Sequence, residues 1–104
     1  MEERFTLYLV EPGLRPPFPS VAHCLWGNVD FDSDGNSSHA NDNQWTELTV
    51  IRRSIDRERL DIDPVSENPL VLVISSTSAG LVHEAAQFLQ INSGGVICTE
   101  WPHT

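Results

Sequence analysis

Residues Arg4 to Val10 alternate, with Phe5, Leu7 and Leu9 on one side and Arg4, Thr6 and Tyr8 on the other, the period of a half-buried strand. Four prolines within Glu11 to Ser20 (EPGLRPPFPS) fix φ and remove amide donors, which predicts a stiff extended loop. Val21 to Phe31 (VAHCLWGNVDF) is apolar enough to be packed; its period fits either a short helix or a strand interrupted at Gly27, with strand the preferred reading. Asp32 to Asn43 (DSDGNSSHANDN) has no large apolar side chain and is rich in turn formers, so an exposed acidic loop is expected over 32–43.

Trp45 to Arg53 (WTELTVIRR) sets Leu48 and Val50 against Glu47 and Thr49, and Glu58 to Asp63 alternates Leu60 and Ile62 with charge; together they predict a hairpin. Pro64 to Pro69 (PVSENP) reads as a breaker. Leu70 to Ile74 (LVLVI) is apolar on both faces, as a central strand is. Beyond the possible N-caps Ser75 to Ser78, Ala79 to Asn92 carries Leu81, Val82, Ala85, Ala86, Phe88 and Leu89 on one stripe with a helical period of about 3.6 residues. His83, Glu84, Gln87 and Gln90 face the other way. Gly94-Gly95 ends the helix, and Val96 to Thr99 reads as a returning strand. The pattern predicts one α+β domain over 1–104: an antiparallel sheet of five to six strands, with the helix 79–92 on one face and Leu81, Ala85 and Phe88 meeting Leu48, Val50, Leu72 and Ile74.

Charge narrows the choice of partner. The chain has 104 residues, fifteen Asp or Glu, six Arg and no Lys, for a net charge of −9, and residues 30–42 alone carry −4. Gripping phosphates or anionic lipid requires clustered cations, so nucleic acid and membrane surfaces are disfavoured and a basic partner or a cation is favoured. No apolar run reaches the ~18 residues that span a bilayer, and the acidic start MEERFTLYLV lacks the features of a signal peptide, so the expected compartment is the cytoplasm. Cys24 and Cys98, without CxxC spacing, are expected to be reduced, buried thiols.

The sharpest motif is Asp30-Phe31-Asp32-Ser33-Asp34-Gly35, the D-x-D-x-D-G opening of a calcium loop, with Asp30, Asp32, Asp34 and Ser38 as candidate ligands and Asp42 as a substitute. Its departures are Asn41 where the bidentate Glu belongs, Ser37 where an apolar anchor belongs, and the lack of flanking amphipathic helices. A solvated acidic turn accounts for the same residues. His23-Cys24, His39, and Cys98 with His103 lack the close pairing of a zinc site. No GxSxG, P-loop, GxGxxG or HExxH motif is present; Asp61 and Asp63 share a strand face as acid/base work could require, but alternation on a solvated strand gives the same pattern. The sequence therefore leans against an enzyme and names no catalytic residue. Arg52, Arg53, Arg57 and Arg59 interleave with Asp56 and Glu58, which favours cross-strand ion pairs over RNA binding. Trp26, Trp45 and Trp101 each adjoin a loop or terminus, where packing at sheet ends competes with a role as contact anchors.

The stretches WTELTVIRR, LDIDPVSENPLVLVISS, SAGLVHEAAQFLQINSGG and VIC, about half the chain, resemble in their order the small cytoplasmic immunity proteins of bacterial toxin systems, a structurally diverse group of acidic α+β domains. The resemblance implies an inhibitor of a toxin and carries over no site residue. Physics gives a compatible expectation: a carboxylate-rich segment is steered rapidly onto a basic protein surface, Asp30, Asp32, Asp34 and Asp42 stand in for substrate phosphates, Trp45 buries at the centre, and the partner is occluded. The alternative is a weak calcium- or small-ligand-binding module built on the DxDxDG segment. Monomer and edge-paired homodimer both fit.

Overall fold

The computed structural model of the chain describes residues 4–27, 31–35 (backbone only), 44–52 and 58–99. Its elements are β1 (Phe5–Val10), α1 (Phe18–Trp26), β2 (Phe31–Gly35), β3 (Leu48–Arg52), β4 (Arg59–Glu67), β5 (Leu70–Ser76), α2 (Ala79–Ser93) and β6 (Val96–Cys98). The six strands form one sheet in the order β2-β3-β4-β5-β1-β6, and every neighbouring pair is antiparallel. The fold is α+β; the sheet has one main apolar face, and Val10, Val71 and Val73 place apolar residues on the other face of β1 and β5, as expected of the LVLVI strand.

Register explains where the core sits. Leu7 pairs with Ile74 and Leu9 with Leu72, Ile74 pairs with Ile62, and Ile62 and Leu60 pair with Leu48 and Val50. Directly opposed residues share a face, so these eight side chains form one apolar surface, and all are buried. Helix α2 covers the β1 and β5 end of that surface, contributing Leu81, Val82, Ala85, Ala86 and Leu89. Leu48 and Val50, expected beneath α2, lie on the same face but towards α1, which packs against both α2 and β3.

Helix α1 corrects the strand expected over 21–31. Phe18, Val21, Ala22, Leu25 and Trp26 are buried or half-buried at helical spacing, so the helical alternative was the right one. The helix begins inside the proline-rich segment, with Pro17 as N-cap and Pro19 in the first turn. There a proline's missing N–H has no intrahelical acceptor to lose. The same placement moves Cys24 to the solvent face: it is exposed rather than buried, Cys98 is half-buried, and neither forms a disulfide.

Two more boundaries differ from expectation. Strand β4 continues through Pro64 to Glu67, with a bulge between Pro64 and Ser66. Its pairing to β3 ends at Ile62, so among the described residues the proline lies where β4 has one strand neighbour, a position that tolerates it. Strand β2 occupies the first part of the expected acidic loop, with Asp32 and Asp34 in register with Ile51 and Thr49. An edge strand needs little apolar burial of its own, which is why DSDG carried no hydrophobic signal.

The joints around α2 are built from small polar groups. Ser76, fully buried, donates its hydroxyl to the Arg59 carbonyl at 2.6 Å and accepts the Ser78 amide at 3.1 Å. Ser78 is the N-cap, its Oγ accepting the Leu81 amide. At the far end Gly95 has φ 95°, and a Cβ there would lie 2.7 Å from the Val10 carbonyl oxygen, so this return to β6 requires glycine.

Candidate functional site

Trp45 and Arg15 form a clasp between two loops. The Trp45 indole N–H donates to the Pro16 carbonyl at 2.7 Å, and Arg15 Nε donates to the Trp45 carbonyl at 2.8 Å while its Nη1 donates to Gly13 at 2.9 Å. Trp45 is 1% exposed and belongs to the core cluster; Arg15 is 8% exposed. Of the two roles weighed for Trp45, packing at a sheet end and contact anchor, the burial of its ring fits the first. The proline-rich loop explains this, because Pro16 offers an acceptor at the fixed position the indole needs.

The carboxylate candidates divide by position. Asp32 and Asp34 lie on β2, at one edge of the sheet, while Asp30, Ser38 and Asp42 lie outside the described residues, as do His39, Arg53, Asp56, Arg57, Trp101 and His103. Over 31–35 the backbone is extended and paired along its length with β3. Alternate positions on such a strand are about 6.7 Å apart, whereas a calcium loop curls its backbone around the ion. Among the described residues, no three His, Cys, Asp or Glu side chains are grouped to share a metal ion.

The outer face, opposite the helices, carries a polar network centred on Asp61. Its carboxylate accepts from Arg4 Nη2 (2.8 Å), Thr49 Oγ1 (2.8 Å), and Arg59 Nε and Nη2 (3.0–3.1 Å), and its side chain is 13% exposed. Arg4 also donates to Ser75 Oγ, its neighbour across the strands. Burial alone would raise the Asp61 carboxyl, but the hydrogen bonds from Arg59, Thr49 and Arg4, with the Arg59 charge, outweigh it and hold the group below its ordinary range. A carboxylate so held is a poor proton donor, so Asp61 is not suited to act as a general acid. The β3–β4 register brings Thr49 to Asp61, and the β1–β5 pairing brings Arg4 there; neither was placed from the sequence.

The described arginines are all engaged. Arg4 and Arg59 hold Asp61, Arg52 pairs with Glu58 across the β3–β4 hairpin at 2.9 Å, and Arg15 binds backbone carbonyls in the interior. Glu11, Glu47, Asp63, Glu67 and Glu84 are exposed, as are the ion-paired Arg4 and Arg59. What the described surface presents to a partner is predominantly negative. Cys24 is not a reactive counterweight, since partial burial and then the charge of Glu84 push its thiol up and away from the thiolate.

No described helix is long and apolar enough to cross a membrane. Comparison with protein-family models, curated proteins and solved structures finds no match to the chain.

Proposed function

We propose that the chain is a cytoplasmic binding protein that occludes a basic protein partner, of the kind a toxin with a cationic substrate channel would be, through its acidic surface. The observation that carries the reading is the balance of exposed charge: the described surface exposes five acids against two arginines, Arg4 and Arg59, both of which are ion-paired to Asp61, and the chain's densest acidic segment, 30–42, includes the edge strand β2. Such a surface accelerates encounter with a cationic cleft and makes the rate fall steeply with salt. The mechanism is steric and electrostatic occlusion, with Asp30, Asp32, Asp34 and Asp42 in the place of substrate phosphates; no bond is made or broken.

The test is association kinetics with purified basic nuclease domains, starting with toxins encoded beside this chain, at several salt concentrations. Full-length protein should bind and inhibit with a salt-dependent on-rate, and a variant with D30N, D32N, D34N and D42N should lose about tenfold or more in that rate. Equal rates and equal salt dependence for the two proteins, with circular dichroism showing both folded, would remove the acidic segment from the mechanism.

A further inference from the structure

The face of the sheet opposite the helices has two unlike halves. One half carries the Asp61 network with Arg4, Arg59, Thr49 and Ser75. On the other, Val96, Val10 and Val71 lie side by side across β6, β1 and β5, and Cys98, Tyr8 and Val73 form the next row. Directly paired residues and residues two apart on a strand share a face, so these six side chains form one contiguous, mostly apolar block. Val96 is 59% exposed, Val10, Tyr8, Val73 and Cys98 are half-buried, and Val71 is buried. Among the described residues both helices pack on the other face, with Leu7, Leu9, Leu72 and Ile74.

Charge is arranged around the block. Asp63 stands on the same face as the cross-strand neighbour of Val73, while Glu11 and Glu67 lie at the end of β5, the first donating its amide to the Leu70 carbonyl and the second in register with Leu70. All three are exposed, and none is in an ion pair among the described residues. The exposed arginines are at the other end of the face. Arg4 is four residues from Tyr8 along β1 and Arg59 four from Asp63 along β4, about 13 Å in each case, and both are tied to Asp61.

We infer that this block is the anchor site for an amphipathic helix of the basic partner, with the helix's apolar stripe on Tyr8, Val10, Val73 and Val96 and its cations towards Asp63, Glu11 and Glu67. The inference rests on the proposed basic partner and adds what charge alone does not supply. Acidic groups speed encounter, whereas the lifetime of a complex depends on a few well-packed side chains ringed by polar ones. From β6 to β5 the block spans two strand spacings, about 10 Å, the diameter of a helix. Strand β2 lies three spacings beyond β5, about 14 Å, so one partner can cover the block and reach the acidic segment 30–42. Charge disfavours a membrane or a second copy, since anionic headgroups or another chain of net charge −9 would meet these same carboxylates.

Two synthetic peptides test the assignment on the full-length chain: a helix former of about 14 residues built from Leu and Lys, with Leu at i, i+3, i+4 and i+7, and the same peptide with every Leu replaced by Gln. In a methyl-detected NMR titration the Leu/Lys peptide should shift Val10, Val73 and Val96 saturably, and by surface plasmon resonance it should dissociate about tenfold or more slowly than the Gln/Lys peptide. V96K should bring its dissociation close to that of the Gln/Lys peptide, while I91K, an equal change of charge on an exposed position of α2, should leave it unchanged. Equal dissociation of the two peptides, shifts confined to β2 and β3, or a V96K variant indistinguishable from I91K would overturn the anchor and leave attraction of a basic partner standing. Nuclear Overhauser effects linking Val10 or Val73 to Trp101 or to a second copy in the free chain would also overturn it, by showing the block already covered. The variant with D30N, D32N, D34N and D42N should slow association of both peptides and alter dissociation of neither; unchanged association would remove the acidic segment and leave the anchor. Failure of both peptides to bind would overturn both readings.

Discussion

Replacing Trp45 by Phe separates the core role of this residue from a surface one. The indole is 1% exposed and donates a 2.7 Å hydrogen bond to the Pro16 carbonyl. Phenylalanine keeps most of the ring but removes the donor, and the net loss of one hydrogen bond is about 1 kcal/mol. It also removes about 40 Å² of buried apolar area, worth about 1 kcal/mol at about 25 cal/mol per Å². Incomplete collapse of the space left behind brings the expected total to about 2–3 kcal/mol. For a chain of this length that corresponds to a fall in Tm of about 10–20 °C.

Urea denaturation followed by far-ultraviolet circular dichroism is the suitable assay, because fluorescence changes when a tryptophan is removed. The midpoint should fall with little change in slope. Exposed substitutions usually stay within about 0.5 kcal/mol, so a loss below that value would refute the assignment of Trp45 to the core. A companion variant, R15M, deprives the Trp45 and Gly13 carbonyls of their buried donors and should cost about 2–4 kcal/mol. Because both side chains tie the proline-rich loop to residue 45, the double variant should lose less than the sum of the two.

The Asp61 network makes a prediction about pH. Its folded-state pKa is lowered, so its contribution is fully present above the unfolded value of about 4 and is lost as pH falls through the folded value. Denaturation midpoints of wild type and D61N, which should differ by about 1–2 kcal/mol near neutrality, should therefore converge in acid; a constant gap down to acid unfolding would contradict the network. G95A forces a Cβ to 2.7 Å from the Val10 carbonyl at a positive φ, and should lower stability by about 2 kcal/mol or more in thermal melts, against little effect for G80A, whose added Cβ meets nothing closer than 3.8 Å. Calcium titration observed by amide NMR should leave β2 paired with β3, since the strand is extended where a calcium loop would curl; saturable shifts over 30–42 with loss of that pairing would revive the calcium-module reading.

The sheet was legible in the sequence wherever burial on one face imposed alternation. Leu7 and Leu9, Leu48 and Val50, and Leu60 and Ile62 are buried as their spacing required, and α2 begins and ends where Ser78 and Gly94 place it. The failures share a cause: the sequence signal was local and the deciding interaction was not. Prolines 16, 17 and 19 read as an extended loop, yet a proline at a helix start loses no hydrogen bond, and α1 is held by packing of Val21 and Ala22 against the rest of the core. β2 has almost no apolar content, and its strand character comes from the edge that β3 offers it. For Trp45, packing could be weighed from the sequence, but the acceptor that fixes its ring is Pro16, 29 positions away.

These placements also change what the acidic segment can do. An expected free loop gains a fixed root, because Phe31–Gly35 is laddered to β3, with Asp32 opposite Ile51 and Asp34 opposite Thr49. A rooted acidic edge loses less conformational entropy on contact than a free loop of the same sequence, which strengthens binding without adding charge. Beside it, β3 and β4 carry an ion-pair network in which Thr49 and Arg59 converge on Asp61, so the support of the edge is itself cross-linked by side chains.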